Sequence, residues 1–423
     1  MGTFCALRNS LMISISDTMT IFSIVAVIIL FGFAADQLFK RRKIPPFFFL
    51  ILLGIIIGPV LGIFSSQEIL PAAGVLGELT LIMVLFYGGM DIKLKTLLSG
   101  GSRIILQVAL YVGLGVTAIT AIAVVFLGWP LYEALIFGSI VGGETTAAVV
   151  IPLSRSIGLK EKSVVFLTIE AALNSVVTVI LFVTFIGLYQ TGSFSISSAV
   201  NSIASNFSIA IFMGILLSMA WLYMLNYFKK HRYTYVFTLG LLLATFSATT
   251  AAGGSGLLSV LIFGIIIGNH RLITSFIKKH VDIRKLERQL FVFQGEMSFL
   301  LETFFFVFLG MEFAVSASSI LFGLEFGLLI VATLLAVRAL SVRVSTARSD
   351  MAGDRKAIIL SFPQGLTVAT LAILSLQYNL PNADTIVLLA TYSIILTNLI
   401  TTIGEYLIAK NKVIRPVKEA VLR

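Results

Sequence analysis

The chain has 423 residues, of which 58% are hydrophobic and only 12% are charged, and its mean hydropathy is +1.04. This composition excludes an ordinary soluble globular protein, and the continuous apolar runs exclude a β-barrel. The net charge is +10. Because the basic residues lie in alternate loops, they indicate membrane topology, and we expect no nucleic-acid partner. The single Cys5 excludes an internal disulfide. We therefore predict an all-α polytopic membrane protein without a cofactor.

Hydropathy divides the chain into about thirteen candidate transmembrane helices. These spans cover residues 18–39, 46–63, 75–90, 104–128, 131–153, 163–189, 199–227, 233–251, 256–269, 292–314, 319–342, 357–377 and 385–409. Every second loop is rich in Lys and Arg, whereas the loops between them, such as 63–74 and 190–198, contain neither. The positive-inside rule then predicts a plasma-membrane protein with its N-terminus outside and its C-terminus in the cytoplasm.

Spans 5 and 6 carry groups that membrane helices normally exclude. Span 5 contains Gly142-Gly143-Glu144, and span 6 contains Glu170 followed by Asn174. A carboxylate inside the bilayer is costly unless it faces a cavity or a partner, and a Gly-Gly pair weakens a helix. Two carboxylates on neighbouring spans, one beside a helix break, indicate an ion pathway.

Two motifs recur in the same order in the second half of the chain. Leu53–Pro59 (LGIIIGP) in span 2 resembles Phe263–Asn269 (FGIIIGN) in span 9, and Phe86–Asp91 (FYGGMD) in span 3 resembles Val307–Glu312 (VFLGME) in span 10. The partners lie seven spans apart, and an odd offset reverses the orientation of a repeat in the membrane. The motifs therefore predict two inverted-topology repeats of six helices each.

The repeats divide a single membrane transporter domain, residues 1–423. The first repeat is predicted at 18–189 and the second at 233–409, with span 7 (199–227) as the connector and 410–423 as a short basic cytoplasmic tail.

Symmetry also predicts a second interrupted helix in span 12, the equivalent of span 5. Span 12 contains Pro363-Gln364-Gly365, and proline removes a backbone donor and clashes with the preceding turn. Paired broken helices in corresponding halves mark the binding site of many secondary transporters, because their freed backbone groups can hold ions near the midplane.

Five motifs together resemble the monovalent cation:proton antiporters of the NhaP-like branch over nearly the whole chain. They are Leu53–Pro59, Gly268-Asn269, Thr303–Gly310, Val337–Val342 (VRALSV) and Phe362–Leu366 (FPQGL). The resemblance implies a six-helix transport core, a separate dimerisation domain and hence a homodimer. It also implies exchange of Na⁺, Li⁺ or K⁺ for H⁺ by alternating access.

The chain departs from the family pattern at the centre of span 6 and at both helix breaks. Ser175 stands where these antiporters carry the aspartate that binds cation and proton in turn. In span 5, Glu144-Thr145-Thr146 replaces the usual Thr-Asp-Pro, and Gln364 replaces the familiar arginine of span 12. In span 10, Glu302 occupies a position where the resemblance would allow a basic residue.

We hypothesise that Glu144 has taken over the exchanging role of the missing aspartate. Thr145, Thr146, Asn174 and Ser175 would supply neutral oxygens to a monovalent cation, and the alternative is that Glu144 is a structural partner of another charge. The resemblance implies a supporting ion pair between Glu170 and Arg338. Further possible members of the site are Glu302, Pro363 and Gln364.

The missing aspartate leaves three function classes open. The first is exchange of Na⁺ or K⁺ for H⁺ through a rearranged carboxylate site. The second keeps the antiporter fold but carries cations without coupling, or carries another small solute. The third is a non-transporting homologue. The sequence contains no nucleophile–base arrangement and no phosphate-binding loop, so we do not expect an enzyme.

Overall fold

The computed structural model describes residues 19, 22–23, 25–38, 46–61, 66–92, 94, 101–147, 149–150, 154, 157–191, 196–228, 233–276, 284–313 and 316–421. Within these ranges every regular element is a helix. We number the helices to match the spans and write the two halves of an interrupted span as a and b.

The helices follow the candidate spans in chain order. They are α1 Val25–Leu38, α2 Phe47–Ile55 with a π-helical continuation Ile56–Val60, α3 Ser66–Asp91, α4 Ser102–Phe126, α5a Leu131–Val141, α6 Glu161–Thr191, α7 Ile196–Phe228, α8 Thr234–Ala251, α9 Gly256–Gly268, α10 Arg284–Met311, α11 Ala317–Ser345, α12a Arg355–Leu360, α12b Leu366–Gln377 and α13 Ala383–Val421. Span 5 becomes helical again at Ala147, where its second half, α5b, begins. A short helix His270–Phe276 follows α9, and a 3₁₀ turn Asp350–Asp354 precedes α12a.

The length and composition of the helices agree with a membrane protein. Among the described residues, eight helices are long and apolar enough to cross a bilayer, and five further apolar helices are shorter. The shorter ones include α2, α5a, α9 and α12b. The predicted all-α polytopic membrane fold is therefore confirmed, whereas the count of thirteen crossing helices stays a prediction.

Three helices extend well beyond the spans read from hydropathy. The helix of span 3 begins at Ser66 and not at 75, that of span 10 begins at Arg284 and not at 292, and that of span 13 continues past 409 to Val421. Hydropathy marks only the part of a helix that lies in hydrocarbon. Lys, Arg and Glu also favour helix, so a helix can continue into water where the apolar run ends.

The two repeated motifs pack against each other across the halves. A Cβ atom added at Gly54 of α2 would lie 2.8 Å from the Cα of Gly310 in α10, so these two backbones touch. In the same way, a Cβ at Gly264 of α9 would lie 3.0 Å from the carbonyl carbon of Phe86 in α3. A relation that exchanges span 2 with span 9 and span 3 with span 10 turns the first contact into the second. This packing supports the inverted repeats, which remain a prediction.

Substituting Gly264 by Ala is expected to destabilise the protein, by about 1–3 kcal/mol, because the new methyl group meets the backbone carbonyl of Phe86 in a closely packed interface. Gly240→Ala in α8 is the matched control, since nothing lies within 4 Å of a Cβ there. Thermal unfolding of both variants in the same detergent measures the difference. Equal midpoints for the two variants would contradict the close approach of α9 and α3.

The two predicted interruptions are present, and they lie against each other. Helix α5a ends at Val141, and the backbone stays non-helical through Thr146, whereas span 12 is non-helical from 361 to 365. The amide of Thr146 donates to the carbonyl oxygen of Pro363 at 2.7 Å, and Gln364 Nε2 donates to the carbonyl of Val141 at 2.7 Å. Backbone groups that each helix loses at its break are thus satisfied by the other break.

Candidate functional site

The carboxylate of Glu144 lies at the meeting point of the two breaks, and only 1% of this residue is exposed. Ser175 Oγ on α6 donates to Glu144 Oε1 at 3.2 Å, and the backbone N–H of Gly365 donates to Glu144 Oε2 at 3.1 Å. Gly365 immediately precedes α12b, so the carboxylate faces the positive, N-terminal end of that half-helix. Within the described part of the chain, no cationic side chain pairs with Glu144.

A cavity of about 450 Å³ reaches this carboxylate. Its polar lining includes Tyr87, Asp91, Glu144, Thr146, Ser175 and Glu302. No Lys, Arg or His is found among the described lining residues. Carboxylate and hydroxyl oxygens that line a cavity can replace water molecules in the hydration shell of a cation. The cavity is therefore suited to a cation or a proton and not to an anion.

Of the four neutral residues predicted beside Glu144, the structure brings two into the cavity. Thr146 and Ser175 line it. Asn174 instead donates through Nδ2 to Thr145 Oγ1 at 3.0 Å and to Glu170 Oε1 at 3.3 Å. Thr145 and Asn174 thus connect the break in span 5 to the neighbouring ion pair, one layer away from the cavity.

Glu170 and Arg338 form a buried, bidentate ion pair. Arg338 Nη2 donates to Glu170 Oε2 at 2.9 Å, Nη1 donates to Oε1, and both side chains are almost fully buried. Arg338 also donates to the carbonyl oxygens of Ser361 at 2.9 Å and Ile358 at 3.3 Å, at the C-terminal end of α12a. Its guanidinium lies 4.7 Å from the ring centre of Tyr111, a favourable cation–π distance. Arg338 therefore balances the charge of Glu170 and also satisfies backbone carbonyl groups at the C-terminal end of α12a.

Gln107 on α4 completes this buried network. This role was not predicted from the sequence. Its Nε2 donates to Glu170 Oε1 at 3.2 Å and to Ser341 Oγ at 3.1 Å, and its Oε1 accepts from Ser345 Oγ at 2.8 Å. Gln107 is fully buried. An amide inside an otherwise apolar membrane helix was the available signal, because such residues in a bilayer need a partner.

Gln364 joins the break in span 12 to the break in span 5 through its hydrogen bonds. Beyond its bond to Val141, its Oε1 accepts from Ser393 Oγ at 2.7 Å and its backbone N–H donates to Thr397 Oγ1 at 3.2 Å. Its carbonyl oxygen accepts from Asn398 Nδ2 at 2.7 Å. All four polar groups of Gln364 are satisfied, so we assign it to positioning the breaks. Pro363 contributes its carbonyl oxygen to the same contact and does not line the central cavity.

A polar stripe on α13 supplies these contacts and was also missed. Ser393, Thr397, Thr401 and Glu405 recur every four residues and are buried. Thr401 Oγ1 donates to the carbonyl of Leu360 at 2.8 Å, and Ser361 Oγ donates to Glu405 Oε1 at 2.9 Å. The four-residue spacing was visible in the sequence and marks one face of a helix.

Two of the residues that line the central cavity, Glu302 and Tyr87, have additional features. Glu302 lines both the central cavity and a smaller one of about 140 Å³, which it shares with Asp36, Thr146 and Gln364. The hydroxyl of Tyr87 is buried and has no hydrogen-bond partner among the described residues. An unpaired buried hydroxyl at a cavity wall is available to a water molecule or an ion.

Comparison with known proteins gives a consistent result. Residues 14–408 match the family described as "Sodium/hydrogen exchanger, transmembrane". Over 207 residues the chain is 30% identical to the K(+)/H(+) antiporter NhaP2 of Shewanella sp. (strain ANA-3), and equally to that of strain MR-4. Each match covers 47% of this chain and 35% of the relative, so the matched part spans about a third of these relatives' length.

The fold is shared with solved antiporter structures. One is the sodium proton antiporter MjNhaP1 from Methanocaldococcus jannaschii at pH 8, with a TM-score of 0.77 at 21% identity over 92% of this chain and 98% of that one. A second structure of MjNhaP1, from an electron-microscopy map, gives a TM-score of 0.68 at 23% identity, covering 93% of this chain and 96% of that chain. At these identities the likeness shows a common fold.

Proposed function

Because the chain belongs to the sodium/hydrogen exchanger family, we propose that it exchanges a monovalent cation, Na⁺ or K⁺, for a proton by alternating access. The observation that carries the proposal is the position of Glu144. Its carboxylate lines a cavity that reaches the two broken helices, and it has no cationic partner in the described part of the chain.

Antiport requires that cation and proton compete for one group, and we assign that role to Glu144. With a cation bound, or with a proton bound, the carboxylate site carries no net charge. The empty, ionised site has a net negative charge, which is costly among apolar helices. The site therefore moves between exposure to the two sides of the membrane only when it holds a cation or a proton. This requirement couples the cation flux to the proton flux. Ser175 and Thr146 would offer hydroxyl oxygens to the cation, and Gly365 holds the carboxylate in place.

The ion pair of Glu170 and Arg338 has a different role in this mechanism. The arginine neutralises Glu170 and is itself held by two carbonyl oxygens of span 12. Both carboxylate oxygens of Glu170 accept charge-assisted hydrogen bonds from Arg338, so the carboxylate is not open to a transported cation. We propose that the pair fixes span 6 to the break in span 12, so that both move as one unit.

Two cavities on opposite sides of the site support alternating access. The central cavity contains Asp91 and Gln294, next to basic loops, whereas a second cavity of about 250 Å³ is lined by Gln190, Asn206 and Ser255, next to loops without Lys or Arg. On α6, Ser175 lines the first and Val179 the second, a separation of about 6 Å along the helix. We propose that this is a cytoplasm-facing state of a plasma-membrane homodimer with its N-terminus outside.

The proposal is tested with the purified chain in liposomes that contain a pH-sensitive dye. An imposed Na⁺ or K⁺ gradient is expected to drive protons in the opposite direction, and empty liposomes give the background. Cation leak without proton movement would replace antiport by an uncoupled pathway. Absence of both fluxes with every monovalent cation would indicate a non-transporting homologue.

A further inference from the structure

A separate cavity of about 380 Å³ lies where α4 and α6 begin, beside the 3₁₀ turn. Its rim carries Arg103, Lys162 and Asp350, and its apolar wall includes Ile104, Val165 and Phe166. It shares no lining residue with the transport cavity. The proposed exchange does not use any of its residues.

Basic residues outnumber acidic ones around this cavity. Lys162 Nζ lies 2.7 Å from Asp350 Oδ2, with both side chains 74% exposed, and Lys160 Nζ donates to the carbonyl of Asp350 at 2.9 Å. The hydrogen bond and charge of Lys162, with the charges of Lys160 and Arg103, hold the pKa of Asp350 below its usual range. The charges that line the cavity balance, with Arg103 and Lys162 against Glu161 and Asp350. Among the adjacent residues, three cations, Lys160, Arg348 and Arg355, stand against one carboxylate, Asp354, so the surroundings can accept further negative charge.

Below the rim the wall becomes apolar within one helical turn. Ile104 and Phe166 are buried, whereas Val165 is 43% exposed and Ile105, next to Ile104 on α4, is 53% exposed. Both helices are long and apolar enough to cross a membrane. Charged side chains over exposed apolar side chains, at the ends of two such helices, mark the boundary between lipid headgroups and hydrocarbon.

We propose that this cavity binds an anionic phospholipid. The phosphate would lie between Arg103 and Lys162, and an acyl chain would run along Val165 and Ile105. Basic pockets between transmembrane helices bind acidic headgroups in this way. A soluble phosphate would use the charged rim but would leave the apolar wall without a partner, and for this reason we favour a lipid.

A bound lipid would join three elements that surround the transport site. The amide of Lys160 donates to Asp354 Oδ2 at 3.1 Å, and Ser163 Oγ donates to the same oxygen at 2.8 Å. These bonds connect the start of α6 to the turn before α12a. Arg103 Nη2 of α4 already donates to the carbonyl of Arg348, just before the turn, at 3.3 Å. A lipid between Arg103 and Lys162 would strengthen this link, so we expect it to stabilise the folded protein, since a ligand that binds only the folded state raises its stability.

The test is thermal unfolding of the full chain in detergent, with phosphatidylglycerol or phosphatidylcholine added at equal concentration. Phosphatidylglycerol is expected to raise the midpoint in a saturable manner, and phosphatidylcholine is not. In the double variant Arg103→Gln/Lys162→Gln, the phosphatidylglycerol concentration at half effect should rise by about tenfold or more. The matched control Arg343→Gln/Lys356→Gln removes two exposed cations that do not line this cavity and should respond like the unaltered chain.

Three results would overturn the proposal. These are equal stabilisation by both lipids, an equal loss of response in both double variants, and the same stabilisation by inorganic phosphate alone. The last result would assign the rim to a soluble anion. Because the readout is unfolding and not transport, its failure and a failure of antiport are distinguishable.

Discussion

Replacing Glu144 by Gln is expected to reduce cation-driven proton flux in liposomes by about a hundredfold or more, to the level of empty liposomes. Glutamine has the size of glutamate and can still accept the bond from the N–H of Gly365. It can neither bind a proton at neutral pH nor balance the charge of a cation. Removing an essential proton-transfer group typically costs two to four orders of magnitude in rate. The unfolding midpoint should change little, because the packing and the backbone hydrogen bond are kept.

The matched control for this prediction is Glu325→Gln on α11. Glu325 is exposed and does not line the central cavity, so its loss should leave exchange unchanged. Full exchange in the Glu144→Gln variant would show that another group carries the proton. Glu302→Gln is then the informative variant, because Glu302 lines the same cavity.

Replacing Arg338 by Met is expected to lower the free energy of unfolding by about 3–5 kcal/mol, since the substitution leaves the Glu170 carboxylate buried without its counter-charge. Arg338 is fully buried, and its loss also frees the carbonyl oxygens of Ser361 and Ile358. Denaturant or thermal unfolding in detergent measures the change. We expect this to be the largest stability effect of any single substitution in the site.

The double variant Glu170→Gln/Arg338→Met tests the cause of that loss. It removes both charges, so most of the destabilisation should be recovered if an unpaired carboxylate is responsible. If the double variant is as unstable as Arg338→Met, the bonds from Arg338 to span 12 are the main contribution. A double variant that folds and still exchanges ions would agree with a structural role of the pair. Loss of exchange from a stable double variant would contradict that role.

Much of the fold could be predicted from the sequence because each signal is local. The helix boundaries follow apolar run length, and both interruptions follow from glycine and proline at fixed positions, Gly142-Gly143 and Pro363. The N-terminal ends of α3 and α10 and the C-terminal end of α13 could not be predicted, because a helix that leaves the membrane keeps its hydrogen bonds in water, where hydropathy no longer marks it.

The candidate site could be predicted only in part, for a physical reason. Periodicity showed that Glu170 and Asn174 share a face of α6, but it could not give the rotation of α6 relative to span 5. That rotation brings Ser175 to the Glu144 carboxylate and Asn174 to Thr145. The two predicted ligands on α6 are adjacent in sequence, and yet they lie in different layers of the molecule.

The sequence by itself determined the class of protein, the two broken helices, the family and the unusual carboxylate of Glu144. Each of these depends on residue type and on spacing within one segment. The tertiary structure decided which polar groups meet, because these contacts join residues far apart in the chain. Arg338 lies 168 positions from Glu170, and Gly365 lies 221 positions from Glu144. In a bilayer each buried polar group needs a partner, and only the packing of the helices determines which partner it finds.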